Sequence, residues 1–343
     1  VHSSSYPLGK NMHIHVAENV SLCTNDSEIC DSLPWQIVHG ILDIPCFLLN
    51  LLHLVLILRM KSLRTNPCLR ALYIHMALAG MLNGLVTFLR GNCFLMSNVS
   101  RQSSIVVMTV GMIFDWPGAA KYYIVCCGSY ERFISICKPM YKPTNILLNN
   151  FNKSLTILWF ILFSLMMLFG VIWNDKSCLM GNSGPTLLFG LRNPFTLIAA
   201  SLTWLPCVVT TLFVSLVAAE LRRMMRRSQP GQQRHHQNRD MIVATKCLMI
   251  IMVTMVLCLV PVCLCITLWG YEPTRHLIAG STLSLFYLMF MSHGIFDTVV
   301  FGWMMPAFRR EGMTLWVEMK NKIRCLMKNS HRIVTENSQS RSN

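Results

Sequence analysis

The run 241–269, where Lys246 is the sole charged residue, constrains this chain more than any other stretch. A helix needs about 20 apolar residues to cross the hydrocarbon of a bilayer, and this run exceeds that. Six more segments meet the requirement approximately, at 35–58, 68–92, 104–136, 153–173, 195–221 and 276–303. The chain as a whole is 53% hydrophobic and 13% charged, roughly half the charge of an average soluble domain. The expected fold is therefore an all-α, seven-transmembrane helix bundle. No repeat of fixed period is visible, and the connections between spans are short.

The formal charge of +15 does not call for nucleic acid, because cytoplasmic loops of membrane proteins collect Lys and Arg. Arg59, Lys61, Arg64, Arg70, Arg132, Lys138, Lys142, Lys153, the cluster from Arg222 to Lys246 and the tail all fall on one side. Lys10, Arg90, Arg101, Lys176, Arg192 and Arg275 fall on the other. The expected topology has residues 1–34 as an extracellular tail, 35–303 in the membrane and the C-terminus in the cytoplasm of a plasma-membrane protein. Asn19 and Asn25 then lie in outer sequons open to glycosylation. The first thirty residues are polar and lack a hydrophobic signal core, so the first span is expected to direct insertion.

After the last span, Phe308, Leu315, Met319, Ile323 and Leu326 recur at helical spacing, with basic residues between them. This predicts a short amphipathic helix on the membrane surface over 304–328, followed by a disordered tail over 329–343. Cys325 on that helix is a candidate for lipidation. Most other cysteines lie within apolar runs and read as small hydrophobes. Cys23, Cys30, Cys93 and Cys178 face the oxidising side, and four cysteines allow three connectivities.

With the spans placed, the chain resembles rhodopsin-like (class A) G-protein-coupled receptors over nearly its whole length. Asn50 stands at the family's first-helix asparagine, and Glu131-Arg132-Phe133 resembles its acid-Arg-Tyr triplet. Trp159, Pro206 and Pro261 match the landmarks of helices four, five and six. Asp297-Thr298-Val299-Val300-Phe301 resembles the seventh-helix Asn-Pro-x-x-Tyr motif, and Phe308 follows at the family's spacing. Glu131-Arg132-Phe133 running into Ile136-Cys137-Lys138-Pro139, together with Thr65-Asn66-Pro67, is similar to odorant receptors of the fish-type branch. Gly80 replaces the usual second-helix aspartate, Thr298 the seventh-helix proline, Phe301 the tyrosine and Leu259 the sixth-helix tryptophan, while Val107 stands near the usual helix-three cysteine.

The resemblance implies a receptor, not an enzyme, that binds a small odorant-like molecule and activates a heterotrimeric G protein, with no cofactor. A receptor for an endogenous amine, lipid or peptide is the alternative. Ligand-facing positions carried over are Phe114, Asp115, Gly118, Val262, Ile266 and Tyr287. Asp115 has two readings: ligand contact, or pairing with an outer arginine or a neighbouring helix. Arg132 is expected to pair with Glu131 at rest, with Asp240 at the start of helix six as a further partner. Lys121 is in register with a residue of the family's sodium pocket, at the depth of Asp297. An isolated charge there costs roughly 2.5–3.5 kcal/mol on insertion scales, so the two are expected to form an internal salt bridge in place of sodium. Whether that bridge switches or only neutralises is open. Cys93 with Cys178 is the available outer disulfide.

Three other classes fit less well. A membrane hydrolase could use Ser292, His293 and Asp297, but catalytic zinc wants three protein ligands. A transporter would more often show inverted repeats. Retinal needs a lysine in the last span, and 276–303 contains none.

Overall fold

The computed structural model describes residues 33–60, 63, 66–91, 104–141, 146–172, 195–227, 235–270 and 293–340. All the regular structure in these residues is helical: α1 (Leu33–Arg59), α2 (Pro67–Gly91), α3 (Ser104–Cys137), α4 (Phe151–Ile172), α5 (Phe195–Arg227), α6 (His235–Gly270), α7 (His293–Met304) and α8 (Pro306–Ser340). Single turns at Pro139–Tyr141 and Ile146–Asn149 join α3 to α4. Among the described residues five helices are long and apolar enough to cross a membrane. The part of the seventh expected span that precedes His293 lies outside the described residues.

Polarity is distributed as a lipid solvent requires. Phe160, Leu205, Val208 and Leu257 point outward and are more than half exposed on the bundle surface. Asp43, Asn50, His53, Asp115, Lys121, Glu131, Arg132, His293 and Asp297 are all buried. A polar side chain facing lipid would be costly, so each turns toward another helix. Proline interrupts α1 at Pro45, α3 at Pro117, α5 at Pro206 and α6 at Pro261. Membrane helices tolerate this because neighbouring helices and local backbone adjustments satisfy the carbonyl that proline frees.

Among the described residues the most extensive helix contact joins α1 to α2, and glycine explains it. A Cβ added to Gly80 would lie 2.3 Å from Asn50 Oδ1, and one added to Gly84 would lie 2.6 Å from the backbone nitrogen of Phe47. Gly80-Met-Leu-Asn-Gly84 is thus a small-xxx-small stripe on which α1 lies directly. Helix α2 starts cleanly because Asn66 Oδ1 accepts from the Leu69 N–H at 3.3 Å, with Pro67 in the first helical position.

Helix α3 is the hub, packing on α2, α4, α5 and α6. Trp159 ties α4 to it: Trp116 Nε1 donates to the Trp159 carbonyl at 3.1 Å, and the two rings meet edge to face at 5.1 Å. Trp159 Nε1 in turn donates to His75 Nδ1 on α2 at 3.1 Å, and His75 Nε2 lies 3.1 Å from Asn152 Oδ1. His53 behaves differently, packing between Phe301 and Phe308 with ring centroids at 4.4 and 5.2 Å.

After α7 the chain turns at Met305 into α8, with Pro306 in the first position of that helix. Arg59 at the end of α1 donates to Glu318 on α8 at 2.6 Å. That hydrogen bond holds the Glu318 carboxyl below the usual carboxylate range. Helix α8 runs to Ser340, well past the boundary expected at 328, so the stretch read as a disordered tail is largely helical. Its helical run continues through Lys328-Asn329-Ser330-His331-Arg332-Ile333-Val334, which contains neither proline nor glycine.

Candidate functional site

Lys121 and Asp297 are brought together across the bundle. Lys121 on α3 is 1% exposed, and its Nζ lies 2.8 Å from Asp297 Oδ2 on α7. The second carboxylate oxygen is occupied from its own helix, with His293 Nδ1 3.1 Å from Asp297 Oδ1. The spacing of four residues puts both on one face of α7. His293 Nε2 then lies 3.0 Å from Thr254 Oγ1 on α6. The result is a chain of contacts, ammonium to carboxylate to imidazole to hydroxyl, that crosses from α3 through α7 to α6. Low local dielectric strengthens each link, and leaving any one unpaired would be costly.

Next to this chain, Asn50 fills the place that Gly80 vacates. Its Nδ2 donates to the Cys46 carbonyl at 2.7 Å and to the Gly294 carbonyl at 3.2 Å, bonding α1 to α7. A Cβ at Gly294 would meet Asn50 Nδ2 at 2.8 Å, so small residues on both α2 and α7 frame the amide.

Near the C-terminal end of α3, Arg132 and Glu131 form a buried ion pair, 3% and 0% exposed at the side chain. Arg132 Nε donates to Glu131 Oε2, and Ser135 Oγ donates to Glu131 Oε1 at 2.7 Å. The pair is local to one helix, and the acid is held by the turn that follows it. Phe133 stacks on Phe213 of α5 at 5.1 Å and Tyr130 meets the same ring at 5.6 Å, so α5 covers this end. Lys138 closes the margin with its ammonium 5.8 Å from the ring centres of Phe133 and Tyr141. Asp240 falls within α6, but its side chain is outside the described residues, as are those of Phe114 and Ile266.

Asp115, Gly118 and Val262 are buried in the bundle. Trp204 on α5 donates from Nε1 to Thr267 Oγ1 on α6 at 3.0 Å, and Tyr123 on α3 donates to the Leu202 carbonyl at 2.9 Å. These contacts tie α5 to α3 and to α6. Tyr287, Cys93, Cys178, Asn19 and Asn25 lie outside the described residues. Cys325 is exposed on α8 with a free thiol.

In the sequence His293 enters only beside Ser292 and Asp297 in the hydrolase alternative, and neither Thr254 nor the stripe at Gly80 and Gly84 stands out. The His293–Asp297 spacing and the Gly-x-x-x-Gly pattern were the available signals. Nothing in the sequence marks Thr254, because threonine is unremarkable in a membrane helix.

No curated protein sequence matches the chain. The family model of the 7 transmembrane receptor (rhodopsin family) matches residues 49–301, a span running from beside Asn50 to Phe301 and containing every polar contact described above in α2 to α7. The chain belongs to that family, as a multi-pass G-protein-coupled signalling receptor and not an enzyme.

Proposed function

We propose that this receptor is chemosensory, of odorant type, and that it takes a small amphipathic molecule between the outer halves of α3, α5, α6 and α7. Asp115 carries the reading. It is an acid 4% exposed, two residues before Pro117 in a helix otherwise apolar at that depth. An apolar cavity with one placed polar group suits a ligand of modest size that offers a hydrogen-bond donor or a cation. Phe114, Gly118, Val262, Ile266 and Tyr287 supply the apolar wall. The same acid keeps an endogenous amine in play as the ligand.

The N-terminus faces outward and the basic inner loops face the cytoplasm. At rest, Glu131 and Ser135 hold Arg132 away from a partner. A ligand that binds better when α6 has moved outward shifts the population toward that arrangement, by no more than its difference in affinity between the two. Arg132 then leaves Glu131 for the G protein, and Asp240 is a second resting partner released by the same movement. Cys93 and Cys178 close the outer surface, Asn19 and Asn25 carry glycans, and Cys325 is a lipid attachment point.

The test is a second-messenger assay in transfected cells against a panel of volatile alcohols, aldehydes, acids and amines. Asp115→Asn should abolish the response to cationic ligands, and Asp115→Ala the response to neutral donor ligands as well, while surface expression is unchanged. Arg132→Ala should silence every ligand. An Arg132→Ala receptor that signals fully would contradict the coupling assignment, and expression confined to tissues other than chemosensory epithelium would favour the endogenous ligand.

A further inference from the structure

Membership of the rhodopsin family implies a sodium ion between helices two, three and seven, and the residues here do not fit one. The acid that would hold it is replaced by Gly80, and the space beside that glycine is taken by the Asn50 amide, 2.3 Å from where a Cβ would stand. Asp297 cannot serve instead. One of its oxygens lies 2.8 Å from Lys121 Nζ and the other 3.1 Å from His293 Nδ1. A hard cation binds through oxygen, and here nitrogen occupies both. Among the described residues no three acidic, histidine or cysteine side chains converge as a metal site.

We propose that the Lys121 ammonium is a tethered replacement for that ion, and that Lys121, Asp297, His293 and Thr254 form one clasp across α3, α7 and α6, insensitive to sodium. The clasp has a permanent joint and a breakable one. The Lys121–Asp297 pair is the permanent joint, since separating it would strand two charges in a buried place. The contact between His293 and Thr254 is the breakable joint. Thr254 Oγ1 lies 3.0 Å from the carbonyls of Ile250 and Ile251 in its own helix as well as 3.0 Å from His293 Nε2. When α6 moves, the hydroxyl keeps a backbone acceptor, so releasing His293 leaves no orphaned hydroxyl. An ion that binds and departs couples receptor closure to the salt outside the cell; a lysine cannot depart.

The test compares melting of the purified full-length receptor in sodium chloride and potassium chloride at equal ionic strength. The wild type should melt within about 1 °C in the two salts. Lys121→Ser should melt roughly 10 °C lower in potassium. A sodium-selective recovery in that variant, absent from the wild type, would show the ion entering the place the ammonium left. A low Tm in both salts would show that Gly80 and Asn50 leave too few oxygens to hold it. If Lys121→Ser does not fold, the double variant Lys121→Met/Asp297→Asn, which strands no charge, should fold and melt near the wild type in both salts. A wild-type Tm several degrees higher in sodium, a Lys121→Ser variant as stable as the wild type, or a double variant no better folded than the single would overturn the clasp.

Thr254→Val should raise ligand-independent signalling about fivefold, the worth of one hydrogen bond; unchanged signalling in a receptor that responds to ligand would remove Thr254 from the clasp. This last arm alone rests on the receptor reading. Melting needs neither ligand nor G protein, so a silent receptor with the expected melting pattern would count against the proposed ligand class and leave the clasp standing.

Discussion

Two buried ion pairs stand on α3, about three helical turns apart in depth and different in kind. Lys121 reaches across to Asp297 on α7, whereas Arg132 binds the residue beside it, Glu131. A pair between helices fixes how those helices stand relative to one another. A pair between sequence neighbours fixes only a side chain, and leaves α6 and α7 unconstrained. The first is therefore suited to holding the bundle together and the second to storing a guanidinium until it is needed. Burial alone does not distinguish them, since both pairs are almost fully covered. Topology of the contact does.

The largest effect expected from this contrast is on Asp297. Asp297→Ala removes the partner of Lys121 and of His293 together, and should cost about 3–5 kcal/mol, read as loss of surface expression and a lower Tm in solubilised receptor. Next comes the α1–α2 seam that frames the clasp: Gly80→Val should cost about 1–3 kcal/mol by overpacking against Asn50, with melting as the measure. Trp159→Phe, which deletes the hydrogen bond to His75, should cost about 1 kcal/mol; no change in Tm would show that the α2–α4 tie is held by packing alone. For the local pair the order reverses. Arg132 stands in the last turns of α3, where a freed guanidinium can snorkel to water. Glu131→Gln should therefore cost only about 1 kcal/mol while raising ligand-independent signalling, and a loss as large as that at Asp297 would erase the distinction.

The smallest effect lies at the surface. Glu318 has its carboxyl depressed by Arg59, so the tether between α8 and α1 is fully present above the ordinary carboxylate range and fades as pH falls through and below it. Protection of the α8 amides in the intact receptor, taken relative to their intrinsic exchange rate at each pH, should fall on acidification, and Glu318→Gln should show the low protection already at neutral pH. Being exposed and salt-screened, this contact should leave global melting untouched.

Much of the architecture is legible in the chain itself, because lipid imposes a simple rule: runs such as 241–269 have few alternatives to a buried or spanning helix. The meeting of Lys121 with Asp297 is legible for the same reason, as two costly charges at one depth. What escapes is geometry set by absence. Gly80 reads in the sequence as a missing acid, but in the bundle it is the floor on which Asn50 rests. His53 and His293 look alike in sequence, yet one packs between phenylalanines and the other bridges a carboxylate and a hydroxyl. Their neighbours come from other helices, which periodicity within one helix cannot name. The full length of α8, Pro306–Ser340, is not legible in the sequence, because a polar segment without proline or glycine is compatible with helix or tail.

The most direct measurement is a pair of double-mutant cycles in melting experiments, one on Lys121→Met with Asp297→Asn and one on Glu131→Gln with Arg132→Met. The account predicts a coupling of about 3 kcal/mol in the first cycle, with the double variant more stable than either single. It predicts a coupling below about 1 kcal/mol in the second. Additive losses at Lys121 and Asp297, or equal coupling in both cycles, would contradict it.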